Sequence, residues 1–318
     1  MTVQLESLWN DAVASSMNEA ELLQYRSNLL GSDLRITNYG GGNTSAKIIE
    51  KDPLTDQETE VLWVKGSGGD LGSIELDGFS TLYIDKLKQL ETLYCGLEHE
   101  DEMVAYLPHC TYNLNSRAAS IDTPLHTYIP HHHVDHMHPD SVIAIACTKN
   151  SEELTSKVFA GKIGWLPWQR PGYDLGLKLG EISKNNPELD GVVLAGHGLF
   201  TWAPTSKDCY LKTLEIINMA VSWLSENNQE TPFGGGLYNN PLKEKERQNI
   251  SSKLMPLIRG KISKSQLKIG HFNSSDEILE FVNSKLLKPL AALGTSCPDH
   301  FLRTKIRPLV LDFNPVAN

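Results

Sequence analysis

Residues 131–140 read His131-His132-His133-Val134-Asp135-His136-Met137-His138-Pro139-Asp140 and hold five of the chain's eleven histidines. On an extended chain, side chains two residues apart share a face, so the imidazoles of His136 and His138 can reach one metal ion. Beyond them, Val142-Ile143-Ala144-Ile145-Ala146-Cys147 is a short apolar run that reads as a buried strand. Two histidines do not make a centre, because zinc takes three or four N, O or S ligands at about 2.0–2.3 Å. His197 is the obvious third. It lies in Val192-Val193-Leu194-Ala195-Gly196-His197-Gly198-Leu199, a second apolar run ending in a histidine between glycines that let backbone or substrate come close. Two buried strands, each delivering histidine at an end, form a metal geometry. The competing interpretation is a His-rich surface loop and a core His197 with its hydrogen bonds satisfied.

Two glycine-rich turns precede this region. In Thr37-Asn38-Tyr39-Gly40-Gly41-Gly42-Asn43-Thr44-Ser45-Ala46-Lys47, free backbone N–H groups and short polar side chains can cradle an anion, phosphate above all. A plain hairpin or bulge accounts for the same glycines. The second turn, Lys65-Gly66-Ser67-Gly68-Gly69-Asp70-Leu71-Gly72, follows the strand pattern Val61-Leu62-Trp63-Val64. Neither ends in the Gly-Lys-Ser/Thr of a Walker loop, and neither shows G-x-G-x-x-G between a strand and a helix. Two such turns in one domain favour a phosphorylated ligand over a dinucleotide.

Asp122, before Thr123-Pro124, suits a helix N-cap, since proline is tolerated at the first helical position. The alternative is a carboxylate close to the metal. Helical patterns cover residues 1–30, ending at Gly31, and residues 81–107. A further helix is expected over about 174–184. A long one, capped by Thr205 or Ser206, carries Tyr210, Leu214, Ile217, Val221 and Leu224 at the helical period. The loop 161–173 mixes aromatic and basic residues suited to substrate contact. Pro232-Phe233-Gly234-Gly235-Gly236 marks a boundary. Beyond it, helices are expected from Asn240-Pro241 and around Ile278–Val282, and residues 293–308 read on their own as a basic linker.

At 318 residues the chain can bury a sizeable core. A net charge of −10 argues against a general nucleic-acid binder. No apolar run reaches the eighteen or so residues that a bilayer span needs, and the N-terminus lacks the pattern of a secretory signal. A soluble, cytoplasmic protein is expected, without membrane or nucleic-acid partners. The five cysteines show no CxxC spacing, which fits reduced, packed thiols.

Together these motifs resemble the class II aldolase/adducin family. Gly42-Asn43-Thr44-Ser45, Gly66-Ser67-Gly68, Ser120-Ile121-Asp122, His136-Met137-His138 and His197-Gly198 follow in the family's order across about residues 35–228. Three stretches are similar to the aldolase part of the bifunctional rhamnulose-1-phosphate aldolase/alcohol dehydrogenases: Asn38–Ser45, His133–Asp140 and Leu293–Phe301. The resemblance implies an α/β fold with a central, mainly antiparallel sheet flanked by helices. It implies an aldolase domain over 1–230 and a helical extension over 231–318 that leads toward a dehydrogenase domain. The metal ligands it implies are His136, His138 and His197, and the metal is zinc. Asn43, Ser67, Gly68 and Ser120 would bind the phosphate of a small sugar phosphate. Asp122 would be the acid/base carboxylate, with Tyr173 a candidate assisting tyrosine. The activity implied is cleavage of L-rhamnulose 1-phosphate, or a similar ketose 1-phosphate, to dihydroxyacetone phosphate and L-lactaldehyde by a homo-oligomer. Aldolase members usually have glutamate where this chain has Asp122, whereas related pentulose-phosphate epimerases have aspartate. Epimerisation is therefore the first alternative. A non-catalytic adducin-like scaffold is the second.

Overall fold

A computed structural model describes residues 4–114, 116–228, 231–240, 242–299 and 305–311. Apolar and β-branched runs form seven strands: β1 (Asn43–Lys51), β2 (Glu58–Lys65), β3 (Phe79–Tyr83), β4 (His133–Met137), β5 (Ile163–Leu166), β6 (Gly191–Leu194) and β7 (Gly198–Ala203). They make one sheet in the order β3-β2-β1-β4-β7-β6-β5. Every pairing is antiparallel except β5 with β6. The fold is therefore α/β, with a mainly antiparallel sheet flanked by helices and a helical C-terminal extension.

β4 sits at the centre of the sheet and is buried along its whole length. Its alternating faces have different jobs. On one face Asp135 forms an ion pair with Arg26 at 2.9 Å, and both side chains are fully buried. Arg26 also donates to the Ser45 carbonyl at 2.7 Å and to Ser206 Oγ at 3.0 Å, while Thr213 Oγ1 donates to Asp135 at 3.0 Å. These bonds tie β4 and β1 to the helices Glu19–Gly31 and Ser206–Asn227. The same side holds the largest hydrophobic cluster, in which Met137 and Leu199 meet Leu30, Leu214 and Ile217. On the other face, Val134 packs with Leu125, Leu175, Leu179 and Phe200 under the helices Thr123–Thr127 and Tyr173–Asn185. His136 points to this second face, directly across from Asn43 on β1 and Phe200 on β7.

Three expectations are corrected. The run 142–147 is not a strand: Asp140–Ala146 is a helix. Pro139 is extended at the N-cap and Asp140 lies in the first turn, which favours helix initiation. Val142, Ile145 and Ala146, at helical spacing, then face the main cluster. Residues 1–30 are not one helix. A short helix, Asp11–Ala14, gives way to Glu19–Gly31, which starts at a capping box between Asn18 and Glu21, and Leu8 is exposed. Residues 81–107 begin as the end of β3 and continue as two helices, Ile84–Gln89 and Glu100–Tyr106, joined by 3₁₀ turns. The expected helices near 174–184 and from Ser206 are found as Tyr173–Asn185 and Ser206–Asn227.

The chain divides into two compact units, one of residues 1–227 with 296–299, the other of residues 228–295 with 300–318. Within the second, the helices are Glu244–Ile262, Asp276–Val282 and Leu287–Leu293. Ile250, Leu254, Met255, Phe272 and Ile278 line an apolar groove there. Of the expected features, Pro241 and residues 300–304 lie outside the described residues.

Candidate metal centre

The three histidines arrive on neighbouring backbone. His136 is on β4, and His138 lies just past that strand's end. His197 is in the tight connection between β6 and β7. A Cβ on Gly198 would stand only 2.6 Å from a ring carbon of His138, so glycine is what lets the two ligand-bearing segments approach. All three side chains are buried, and the ring of His136 lies flat on Phe200, with centroids 4.1 Å apart.

The hydrogen bonds fix which ring nitrogens face inward. His136 Nδ1 is 3.0 Å from the Leu199 carbonyl, an acceptor, so Nδ1 carries the proton and Nε2 presents a lone pair. His138 Nδ1 is 2.7 Å from a carboxylate oxygen of Asp299, with the same consequence. Nε2 of His136 then lies 3.0 Å from Nε2 of His138 and 3.1 Å from Nε2 of His197. Two bare lone pairs facing each other at 3.0 Å repel unless a cation lies between them. Burial, followed by the charges of the neighbouring imidazoles, holds His136 well below the usual histidine range. Burial lowers His197 to about 3. His136 and His197 are therefore neutral near pH 7, the state that ligates metal. Candidate ligand atoms of the three lie within 4.8 Å of one another. On a tetrahedral ion with bonds of about 2.0–2.1 Å, ligand nitrogens stand about 3.3 Å apart. The residues present fit a divalent cation.

Asp122 is at the N-terminus of the helix Thr123–Thr127, yet its carboxylate makes no capping bond. It accepts instead from Asn43 Nδ2 at 2.5 Å and from Ser120 Oγ at 3.4 Å. Since Asn43 pairs with His136 across the strands, the acid is drawn toward the histidines rather than to its own helix. Burial pushes the Asp122 carboxyl up, opposed by the charges of His138 and Lys65 and by the Ser120 hydrogen bond. The second glycine turn is bonded to the segment that leads into Ser120. Ser67 N–H donates to the Ala118 carbonyl at 3.0 Å, and Arg117 Nε donates to the Ser67 carbonyl at 3.4 Å. Gly68, at φ +77°, has open space where a side chain would stand. Asn43 Oδ1 is buried with no hydrogen-bond partner among the described residues. His136, His138, His197, Asp122, Asn43 and Ser120 thus converge, while Ser67 is bonded to Ala118 and Arg117, which precede Ser120 in the chain. Tyr173 is not brought into this group. Its ring packs with Leu62, Leu82 and Met103, and its hydroxyl meets that of Tyr128.

Comparison with known proteins agrees with this geometry. Residues 21–224 match the class II aldolase and adducin N-terminal domain, and residues 249–318 match the class II aldolase second domain. The chain belongs to the class II aldolase and adducin family. It is 40% identical over 313 residues to the uncharacterized oxidoreductase YuxG of Bacillus subtilis (strain 168), a match covering 98% of this chain and 45% of that one. The chain thus spans less than half the length of that relative. The N-terminal class II aldolase domain of a conserved protein from Thermoplasma acidophilum superposes with a TM-score of 0.61 at 29% identity, covering 70% of this chain and 99% of that domain. Among the described residues no helix is long and apolar enough to cross a membrane.

Within this candidate site, the residue that motif reading of the central region missed is Asp299. It lies in the stretch that composition alone reads as a linker, 161 positions from the histidine it touches. The signal available was the similarity of Leu293–Phe301 to the longer family members, which marks the stretch without giving any residue in it a role.

Proposed function

We propose that this chain is a zinc-dependent aldolase that cleaves L-rhamnulose 1-phosphate, or a closely similar ketose 1-phosphate, to dihydroxyacetone phosphate and L-lactaldehyde. Family membership and the histidine cluster support a metal-dependent aldolase-type enzyme; the substrate and the metal's identity are our reading. The observation that carries it is the convergence of three inward-facing Nε2 atoms with a carboxylate, Asp122, that is turned away from its own helix.

Three nitrogen donors leave an open position on a tetrahedral ion, and zinc bound there would supply Lewis acidity toward the oxygens that gain charge as the carbon–carbon bond breaks. The protein's own groups do the rest. Asp122 takes the proton from the hydroxyl whose carbon becomes the aldehyde and returns a proton to the carbon left carrying the electron pair, so protons balance across the cleavage. Asn43, Ser67, Gly68 and Ser120 hold the phosphate, with Lys65 and Arg117 supplying positive charge. Anchoring that remote end positions the reacting carbons. No lysine Schiff base is required. Tyr173 has no part in this reading, because its hydroxyl is engaged by Tyr128.

The test is direct. The zinc-loaded protein is incubated with L-rhamnulose 1-phosphate, and dihydroxyacetone phosphate is assayed with a coupled dehydrogenase. Formation of the triose phosphate is expected. If none forms from this or other ketose 1-phosphates, the aldolase reading fails. One observation favours the epimerase alternative: the carboxylate is an aspartate, one methylene shorter than glutamate. Interconversion of pentulose phosphates without triose phosphate would establish that alternative. The adducin-like scaffold is opposed by the intact histidine cluster, and a protein that takes up no metal would revive it. Sedimentation of the untreated protein tests the homo-oligomer implied by the family resemblance.

A further inference from the structure

We infer that Asp299 is the positioning residue of the metal centre, a carboxylate from the C-terminal part of the chain that fixes the tautomer and aim of His138. The inference rests on the metal reading above. It goes beyond it by giving the segment 296–299 a function in the site.

Four observations carry it. Asp299 Oδ2 is 2.7 Å from His138 Nδ1, with the two side chains only 9% and 6% exposed. The carboxylate is seated on the first glycine turn, where a Cβ on Gly41 would run into it. That turn is itself pinned, since Gly40 N–H donates to Asp70 Oδ1 at 2.8 Å. The segment is anchored as well: the Cys147 thiol donates to the Ser296 carbonyl at 3.2 Å, and Cys297 is buried. Residues 296–299 accordingly belong to the first compact unit, although the chain on either side of them does not.

The chemistry follows from the donor inventory. An ionised carboxylate only accepts, so it holds the proton of His138 on Nδ1 and leaves Nε2 as a lone pair. That lone pair faces Nε2 of His136 at 3.0 Å. Imidazole ligands contribute no charge toward a divalent cation, and a carboxylate behind the ring supplies negative charge. Carboxylates placed behind metal-bound histidines in this way raise ligand basicity, and losing them costs about 10–100-fold in metal affinity. Asparagine is the informative replacement. Its amide can donate to Nδ1, which would move the ring proton to Nε2 and turn the ligand atom into a donor.

The experiment uses the full chain. Zinc affinity is measured by competition with a chromophoric chelator for the wild type, Asp299→Asn and Gly41→Ala, the last displacing the carboxylate without removing it. Both variants are expected to bind zinc about 10–100-fold more weakly. In the metal-free protein, long-range ¹H–¹⁵N spectra are expected to report His138 as the Nδ1–H tautomer in the wild type and as Nε2–H in Asp299→Asn. Unchanged zinc affinity in Asp299→Asn overturns the inference, and so does a wild-type His138 protonated on Nε2. A lowered melting temperature of the metal-free variant with unaltered affinity assigns Asp299 a packing role only and also overturns it. If the wild type binds no zinc, the proposed function fails; the tautomer then still decides whether Asp299 sets the ring.

Discussion

The helices Ser206–Asn227 and Glu244–Ile262 are of similar length, 22 and 19 residues, and could hardly differ more in what they bury. The first buries nine of its residues, among them Tyr210, Leu214, Ile217 and Val221 against the sheet. The second buries none. The contrast extends to their surroundings. β4 and β7 are buried throughout, whereas among described residues 231–295 only Ser284 and Ala291 are buried. Packing that leaves side chains one rotamer to occupy is what allows three imidazoles to be held at ligand spacing. The site is accordingly built on the sheet. Among the described residues, the C-terminal region contributes one side chain, Asp299, and does so through the four-residue segment that clusters with the sheet unit.

The largest effects are therefore expected at the sheet. Replacing His197 with alanine removes one of three donors. If the metal supplies several kcal/mol of transition-state stabilisation, turnover should fall on the order of 10³-fold, with metal content by atomic absorption falling alongside it. Asp122→Asn separates the two roles. Metal content should stay at the wild-type level while kcat drops about 10²–10⁴-fold, the usual contribution of a general acid/base. If Asp122→Asn lost its metal too, the carboxylate would be a ligand rather than a proton carrier.

How much of this was legible from residues alone differs by the range of the signal. His136 and His138 share a face because period-two alternation is local, and the turn-bound His197 stood out between two glycines. The helix Ser206–Asn227 was readable because its 3.6-residue pattern is long. The run Val142–Cys147 is ambiguous, because six consecutive apolar residues fit a strand or a helix equally; Pro139 and Asp140 decide for the helix. β4 itself was hidden by its composition. His133 and Asp135 look like loop residues until Arg26, from a helix more than a hundred positions earlier, satisfies both. Tyr173 was drawn toward the site only by resemblance, and its packing with Tyr128 depends on a contact that local pattern does not encode.

That buried network gives the next prediction. Arg26→Met leaves the Asp135 carboxylate buried and unpaired, and urea unfolding should report a loss of about 3–5 kcal/mol. Arg26→Met combined with Asp135→Leu should recover much of it, because both charges are then gone. The same region sets a pH dependence. Burial, and then the Arg26 charge, depress His133 to about 3; burial, and then Lys47, depress His126 to about 3. The unfolded chain binds protons at these histidines near pH 6.5 while the folded one does not, so stability is complete above that pH and declines as pH falls toward 3. Each contributes a slope of up to about 1.4 kcal/mol per pH unit within that window. His126→Asn should lower the slope between pH 6 and 5 by about one histidine's share; an unaltered slope would mean His126 is protonated in the folded state.

The smallest expected effect bears most directly on the contrast between the two helices. Leu257 lies on Glu244–Ile262 and is 69% exposed, so truncating it removes little apolar area from contact with protein. Leu257→Ala should change unfolding free energy by no more than about 0.5 kcal/mol. Alanine's slightly better helix propensity partly offsets the lost methyl groups. The opposite result is informative in a definite way. A loss of 2 kcal/mol or more, about the cost of truncating a buried leucine, would mean that this face is covered in solution. The difference between the two helices would then lie in what each packs against, and concentration dependence of the loss would identify the cover as a second copy of the chain.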